Sequence, residues 1–409
     1  MAEPLDRPIA RTLYRDAAIA DGRSDRPKLG MSVLVEDGRI AWIRPTSDED
    51  PSRAEGLTVV DAGGTTIVPG MVDGHSHLTL PGGSHWIERV SDPPSALVAE
   101  AARNAELLTR SGVRWARDVG APVGDDPVDG RRRALSLGVR DRARGRAGWP
   151  NIRAAGAWIG STGALDEWSV EATGDGLVAA VEHELDDGAD FVKLYLDGAD
   201  PAVCPWSVDE IASAVAAAHA RGARVTAHSG RIDGARKGVA GGVDALEHGF
   251  ELDEAVAAEM ARRGTFVVST LTVFRSWESF AATTSLERFS GDEGRRRIAD
   301  RRARAEESIR IARAAGVRIA TGTDFGGGST RANQLAWEVE SLVAAGLEPW
   351  EALAAATWRG GELLDEPDAG TIREGGPADF ILVHGDPLSD PTALWRVWRV
   401  AWAPEPVAV

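Results

Sequence analysis

The pattern of apolar and polar positions divides the chain into two kinds of segment. Residues 9–62 alternate short apolar runs with turns, and the Asp37-Gly38 pair between two such runs is typical of a β-hairpin. From His75 onward, strand-like runs alternate with Ala-rich helical stretches, a pattern typical of repeated βαβ units. The chain is therefore predicted to contain a small β module followed by a parallel α/β domain.

The second kind of segment contains eight strand-like runs. The first ends at His77, and the helices between runs include Ser207–Arg221 and Ala303–Ala315, each closed by a glycine. The other strand candidates are Val113–Val119, Asn151–Ala157, Asp190–Tyr195, Arg224–His228, Asp244–His248, Thr265–Ser269 and Arg318–Gly322. Eight βα units predict an α/β fold of the (β/α)8 TIM barrel type.

The two chain ends share the alternating pattern, which returns in Phe380–Val383 and Leu394–Trp402. We therefore expect both ends to pair into one small β-sandwich domain, with the barrel inserted between its parts. In this interpretation residues 1–65 and 366–409 form the β-sandwich domain, and residues 66–365 form the barrel.

Two predicted connections, Gly120–Pro150 and Phe274–Arg302, are much longer than the few residues usual between a strand and a helix. Insertions at the catalytic end of a barrel commonly shape the substrate pocket. Taken individually, most of their charged residues are expected to lie on solvated helix faces.

Composition narrows the class of partner. Of the 409 residues, 43% are hydrophobic and 27% are charged, which is ordinary for a globular enzyme. The formal net charge of -17 would repel phosphates over most of the surface, so we expect neither a nucleic acid nor an anionic membrane as partner. A small-molecule substrate is the better expectation.

Cysteine content and targeting signals set two further expectations. With Cys204 as the single cysteine, no intrachain disulfide or thiolate metal cluster can form, so nitrogen and oxygen atoms must bind any metal. The N-terminal residues do not resemble a secretory signal, and no apolar run approaches the roughly 18 residues of a membrane-spanning helix. We expect a cytoplasmic protein and, because many barrels of this kind are dimers or larger, a homo-oligomer.

Six polar groups are predicted to meet at one end of the barrel, because active-site residues of TIM barrels lie at the C-terminal ends of the strands. They are His75 and His77 on the first strand, Lys193 on the fourth, His228 on the fifth, His248 on the sixth and Asp324 after the eighth. Side chains two residues apart on a strand point the same way, so the first two histidines can bind one ion. Imidazole and carboxylate ligands suit zinc, manganese or iron, and zinc is usual for hydrolysis.

The stretches that carry these groups resemble the amidohydrolase superfamily, on its imidazolonepropionase and prolidase-like branch. They are Val68–His77, Gly112–Gly120, Gly188–Lys193, Val225–Ser229, Gly242–Gly249, Gly322–Asp324, Gly346–Thr357 and Gly370–Phe380. The resemblance spans nearly the whole chain, and the ordered set is far more specific than any single His-x-His pair.

The resemblance implies a binuclear metal centre with two divalent ions, zinc being the first expectation. His75, His77 and Asp324 would bind one ion, and the fifth- and sixth-strand histidines would bind the other. Lys193, carboxylated by carbon dioxide, would bridge the two ions together with a hydroxide. Asp324 would also be catalytic, taking the proton of this nucleophile and passing it to the leaving nitrogen.

The implied activity is hydrolysis of an amide-type C–N bond in an N-acyl amino acid, a dipeptide or a modified natural product. Two alternatives stay open. The same scaffold could act on a cyclic amide, an imidazolone or a lactone, or serve a metal-dependent lyase or decarboxylase. A barrel that has lost its chemistry is the other alternative, against which the complete ligand set counts.

One departure from the prolidase-like pattern affects the predicted substrate site. Where those relatives have Gly-Gly-His after the third strand, this chain has Gly160–Leu165 without the histidine. His85, in the loop after the first strand, could compensate or be a surface residue. Tyr195 could donate a hydrogen bond to the substrate carbonyl or simply lie at the rim. Arg275, with Trp277, could bind a substrate carboxylate or ring, although exposed helix positions are the commoner outcome.

Overall fold

The structure is a computed structural model that describes residues 11–49, 56–165 and 168–402. Its strands, in chain order, are β1 (Arg11–Ile19), β2 (Lys28–Glu36), β3 (Arg39–Pro45), β4 (Thr58–Asp61), β5 (Thr65–Pro69), β6 (Met71–Ser76), β7 (Val113–Asp118), β8 (Val123–Asp125), β9 (Arg132–Ala134), β10 (Asn151–Ala154), β11 (Trp158–Gly160), β12 (Ser169–Glu171), β13 (Val192–Tyr195), β14 (Val225–Ser229), β15 (Ala245–His248), β16 (Phe266–Ser269), β17 (Arg318–Thr321), β18 (Phe380–His384) and β19 (Val397–Val400). Its helices are α1 (Trp86–Arg89), α2 (Pro94–Arg110), α3 (Leu135–Ala143), α4 (Leu177–Asp186), α5 (Val208–Ala220), α6 (Ile232–Ala240), α7 (Glu254–Arg263), α8 (Thr272–Thr283), α9 (Glu287–Ser290), α10 (Asp292–Ala314), α11 (Leu335–Ala344), α12 (Pro349–Ala355) and α13 (Trp358–Leu364).

Strands from both ends of the chain pair in one sheet, whose order is β19-β18-β5-β1-β2-β3, with β4 also paired to β1. The β2–β3 turn has Asp37 at φ 48° and Gly38 at φ 75°, the left-handed pair that an Asp-Gly hairpin requires. Tyr14, Ile67 and Phe380 belong to the apolar core of this sheet. The predicted second sheet of a sandwich and the domain boundaries stay predictions, and residues 1–10, 50–55 and 403–409 lie outside the described part.

The eight predicted parallel strands are present as β6, β7, β10 and β13–β17. They form two ladders, β6-β7-β10 and β11-β13-β14-β15-β16-β17, with β12 at the outer edge of β11. Backbone hydrogen bonds also join the ladders: Asp190 N donates to Ala154 O at 2.8 Å, and Asp324 N donates to His75 O at 2.8 Å. The strands therefore belong to a TIM-barrel-like α/β fold.

The helices cover the outer faces of the parallel strands. In α5 the buried residues Ile211, Ala214, Val215 and Ala218 recur at helical spacing, and Ser207 caps the helix by accepting a hydrogen bond from Glu210 N. The helix predicted over 303–315 is the second half of the longer α10, because most of the supposed loop before it is also helical. No helix in the described residues is long and apolar enough to cross a bilayer.

Candidate active site

The six candidate metal-site residues line one cavity of about 240 Å³ at the C-terminal ends of the parallel strands. Five of them are buried, and Lys193 is only 1% exposed. Strand register explains the placement, because β13, β14 and β15 pair in parallel and end at the same edge. The structure thus brings these groups together, while their roles as ligands stay predictions.

The rings of His75 and His77 are held by hydrogen bonds at Nδ1. His77 Nδ1 lies 2.7 Å from the carbonyl oxygen of Gly120, and His75 Nδ1 lies 2.6 Å from Glu247 Oε2. A carbonyl or carboxylate oxygen only accepts hydrogen bonds, so both Nδ1 atoms donate. Each neutral ring therefore presents a lone pair at Nε2, and both Nε2 atoms lie 3.3 Å from Oδ1 of Asp324.

The remaining two histidines adjoin this group. His248 Nδ1 lies 2.8 Å from Thr270 Oγ1, and ligand atoms of His75, His248 and Asp324 all lie within 4.8 Å of one another. The ring of His228 lies 4.6 Å from that of His248, centroid to centroid, but its Nε2 is 3.1 Å from an oxygen of Asp197. In this structure His228 is therefore bound to a carboxylate that the sequence interpretation did not consider.

Burial and charge shift the ionisation of the site. Burial lowers the pKa of Lys193 to about 8, against the opposing charge of Glu247. Burial would raise the pKa of Glu247, but Arg117, His75 and Lys193 bring it down to about 2. Burial likewise acts to raise the pKa of Asp324, but the neighbouring imidazoles, led by His75, hold it well below its usual range. Both carboxylates are thus anions at neutral pH.

Backbone conformation marks the same place. His248 (φ 68°) and Asp324 (φ 54°) both adopt the left-handed region, which non-glycine residues enter rarely and often at functional sites. The glycine run after Asp324 packs directly on the site, because a Cβ on Gly328 would lie 2.3 Å from Asp324 Oδ2. This run therefore lets the backbone approach the carboxylate closely.

The rest of the cavity wall is mainly apolar. Beyond the six candidate residues and two glycines, the polar residues in the described part of the lining are Tyr195 and Arg301. The apolar ones are Leu80, Trp86, Val90, Trp158, Leu165, Trp168, Phe250, Val273 and Trp277. The sequence interpretation considered Trp277 for substrate binding but assigned most tryptophans to packing, so it missed Trp86, Trp158 and Trp168.

Two of the predicted substrate-binding residues lie elsewhere. His85 is exposed, with Nδ1 3.7 Å from Glu88, and it does not line the cavity. Arg275 pairs with Glu340 at 3.1 Å, so its guanidinium is already neutralised away from the site. Tyr195 does line the cavity, stacked on His228 with 4.0 Å between ring centroids.

Three functional candidates were missed from the sequence. Asp197 had a signal, because Lys193, Tyr195 and Asp197 alternate and so point the same way. Glu247 had a weaker one, as an acidic residue in an otherwise apolar strand directly before His248. Arg301 had none, because it lies in the arginine-rich helix α10.

Comparison with known proteins bears on the family. Residues 66–401 match the model of the amidohydrolase family. An uncharacterised protein of Mycobacterium tuberculosis is 31% identical over 371 residues, covering 89% of this chain and 88% of the relative. An imidazolonepropionase of Anaeromyxobacter sp. is 27% identical over 417 residues, covering 92% and 90%.

A solved structure of an Xaa-Pro dipeptidase with bound methionine superposes with a TM-score of 0.81. It is 24% identical to this chain, and the match covers 95% of this chain and 97% of the dipeptidase. At this identity the likeness concerns the fold, which agrees with the parallel strands and helices described above. The chain therefore belongs to the amidohydrolase family, and this membership with the imidazolonepropionase relative supports a hydrolase that acts on C–N bonds.

Proposed function

We propose that this protein is a binuclear metal-dependent amidohydrolase that cleaves an amide-type C–N bond of a small molecule. The observation that carries the proposal is the contact of two histidine Nε2 atoms with Asp324 Oδ1, each at 3.3 Å. Lone pairs on both nitrogens and a carboxylate oxygen all face one point. Two protonated rings would repel each other here, since their centroids are 5.3 Å apart, whereas a bound cation satisfies all three atoms.

The residues present fit two divalent ions, with zinc the first candidate. His75, His77 and Asp324 would hold one ion, and His228 and His248 would hold the other. For His228 this requires its ring to exchange its contact with Asp197, or to use its other nitrogen. The hydrogen bonds at Nδ1 of the other three rings are the supports that metal-binding histidines usually have.

Lys193 fits the bridging role as a carbamate. Its ammonium makes no hydrogen bond or ion pair with a described residue, although it is buried among histidines. Burying an unpaired cation is costly, so the amine is poorly placed as an ordinary lysine. Carboxylation would convert this side chain into an anion that can contact two cations.

When bound, the ions would lower the pKa of a water molecule and polarise the substrate carbonyl. Asp324 would accept the proton of the attacking water and deliver it to the leaving nitrogen, since it is the one carboxylate among the described residues that line the cavity. Burial, Asp197 and Asp324 raise the pKa of Tyr195, so its hydroxyl stays protonated and can donate to the carbonyl oxygen. The apolar walls would keep bulk water away from these groups.

Further proposals accompany this one. We infer that the two parallel ladders close into an eight-stranded barrel, which the backbone hydrogen bonds between them support. We also propose the β-sandwich, the cytoplasmic location, the small-molecule partner and the homo-oligomer.

A cyclic amide is the second candidate substrate, favoured by the similarity to an imidazolonepropionase. The products distinguish the two candidates, because a linear amide gives two fragments and a cyclic amide gives one ring-opened acid. An imidazolone ring and linear N-acyl amino acids should therefore be tested side by side.

The experiment that tests the proposal combines metal analysis with product analysis. Elemental analysis of protein purified without chelators should give about two divalent ions per chain, and an amide panel should give an acid and an amine. One ion would contradict the binuclear centre. No bound ion after supplementation with zinc, manganese or iron would overturn the proposed function.

A further inference from the structure

We propose that Arg301 binds a substrate carboxylate and that the tryptophan wall beside it binds a large apolar group. The substrate class is then an N-acyl amino acid with a free carboxylate and at least one aromatic or bulky apolar group. This inference rests on the proposed function, which it narrows from amides in general. It also favours blocked N-acyl compounds over dipeptides with a free amino group.

Arg301 lines the cavity and makes no hydrogen bond or ion pair with any described residue. Its Cζ atom lies 5.4 Å from the ring centroid of Trp277 and 6.0 Å from that of Phe250. These aromatic faces hold the guanidinium in place but do not use its N–H donors. A half-buried guanidinium with free donors is suited to a carboxylate, which accepts two of them side by side.

The next residue of α10 contrasts with Arg301. Arg302 donates to Glu278 at 2.8 Å and to Glu306 at 2.7 Å, so its charge is neutralised twice. Arg302, which faces away from the cavity, thus has one acidic partner on α10 and one on α8. Arg301, which faces the cavity, has none among the described residues.

The surroundings of Arg301 are cationic. Arg231, Arg297 and Arg304 act on it, and burial together with these charges lowers the pKa of Arg301. Asp197 is the acidic group that acts in the opposite direction, but it already accepts hydrogen bonds from His228 and from Gly230 N. An anion entering the cavity would thus be attracted by a positive charge that no described residue pairs with directly.

The apolar wall defines the other half of the ligand. Trp158 lies 5.2 Å from His77 between ring centroids, and Trp86 lies 6.4 Å from Trp168. These rings continue the wall from the predicted metal site outward, and they offer a large surface to an aromatic group. Among the described residues Asp324 is the one carboxylate that lines the cavity, so a substrate ammonium would find no other acidic partner among them.

The test is a binding comparison on the protein as purified. The probe is N-benzenesulfonyl-phenylalanine, whose sulfonamide replaces the scissile amide and resists hydrolysis, and the matched probe is its carboxamide. Isothermal titration calorimetry should show the carboxylate binding about 10- to 100-fold more tightly, the strength of hydrogen bonds to a charged group. The Arg301→Gln variant should abolish this preference, and Arg301→Lys should retain part of it.

Arg296→Gln is the matched control, because it removes a positive charge from an exposed position of the same helix and is not one of the neighbouring charges that act on Arg301. It should keep the preference, and all variants should unfold at similar temperatures. Equal binding of the two probes by the unaltered protein, or a preference that survives Arg301→Gln, would overturn the inference.

Hydrolysis assays separate this inference from the proposed function. For N-benzoyl-phenylalanine, Arg301→Gln should raise KM far more than it lowers kcat, and phenylalanyl-phenylalanine should be a poorer substrate. Cleavage of amides without any carboxylate preference would refute the role of Arg301 and leave the hydrolase standing. Carboxylate-selective binding without cleavage of any amide would refute the hydrolase and leave the binding site standing.

Discussion

Two cavities of similar size lie at opposite ends of the parallel strands, and they differ in whether their charged side chains are paired with each other. The cavity at the N-terminal ends has about 260 Å³, against about 240 Å³ for the candidate active site. Its charged lining residues are Arg117, Arg153, Asp190, Arg224, Asp244 and Asp365. Size and the presence of charged groups therefore do not identify the active site.

Pairing does distinguish the two cavities. At the N-terminal ends, Arg153 pairs with Asp190 at 3.3 Å, and Arg224 pairs with Asp365 at 3.3 Å. Asp244 accepts from His219 at 2.9 Å, and Arg117 pairs with Glu247. At the C-terminal ends, two cations have no partner among the described residues, and histidine lone pairs face a carboxylate. Charged side chains that pair with each other contribute to the stability of the fold, whereas those without a described partner are available to bind a ligand.

The largest expected effect is that of Asp324→Asn, which removes the proposed proton carrier from the candidate active site. We expect kcat to fall by about 10²- to 10⁴-fold while the fold and much of the metal are kept. Steady-state kinetics and elemental analysis of the same sample measure both. Asp244→Asn, in the cavity at the N-terminal ends of the strands, is the control and should keep kcat. Full kcat in Asp324→Asn would remove this residue from the mechanism.

The second prediction concerns the unpaired lysine. Lys193→Ala should lose at least one equivalent of metal, because the bridging anion is missing, and short-chain carboxylic acids should restore part of the activity. Lys237→Ala is the control, since that lysine already has Asp233 at 3.2 Å and Cys204 O at 3.1 Å. Unchanged metal content in Lys193→Ala would rule out the carbamate bridge.

The third prediction tests the residue that links the two cavities. Glu247 accepts hydrogen bonds from His75 on one side and from Arg117 and Thr226 on the other. Glu247→Gln leaves Arg117 without its counterion and offers an amide that cannot accept equally on both sides. Metal affinity should fall by about 10- to 100-fold, and the free energy of unfolding by about 3–5 kcal/mol.

Chelator competition and denaturant unfolding measure these two effects. Glu338→Gln is the matched control, because Glu338 is also fully buried but contacts Ser269 and Thr272 instead of a histidine. It should change metal affinity little. A Glu247→Gln variant with unaltered metal affinity would show that orienting His75 is not its role.

Regular patterns explain what the sequence could predict. The eight strands are short segments that contain apolar residues and lie between helical stretches, and parallel strands end at a common edge, so His75, His248 and Asp324 could be placed together without a structure. The Asp37-Gly38 hairpin follows from local backbone preference alone. In all these cases the information lies within a few consecutive residues.

The missing parts depend on contacts between distant segments. Arg301 and Arg302 are neighbours in one arginine-rich helix. Arg302 pairs with Glu306 of that helix and with Glu278 on α8, whereas the packing of the helix turns Arg301 toward Trp277 and Phe250. Arg275 likewise looked available until α11 brought Glu340 beside it. The position of His85 in a loop after the first strand suggests a role in substrate binding. The structure instead turns its ring outward, toward Glu88.

The smallest expected effect is that of a substitution in the cavity at the N-terminal ends of the strands. Arg224→Gln removes a partly exposed pair with Asp365 and hydrogen bonds to the carbonyls of Glu362 and Leu363. Partly exposed pairs contribute little, so the free energy of unfolding should fall by only about 1 kcal/mol and kcat/KM should not change. Thermal unfolding and the hydrolysis assay, run beside Arg301→Gln, provide the measurement. Both variants replace a barrel arginine by glutamine. A loss of substrate affinity in Arg301→Gln alone would therefore mean that the functional arginine is distinguished by its lack of an acidic partner among the described residues, and not by its positive charge as such. An equal loss in Arg224→Gln would break the distinction between the two cavities.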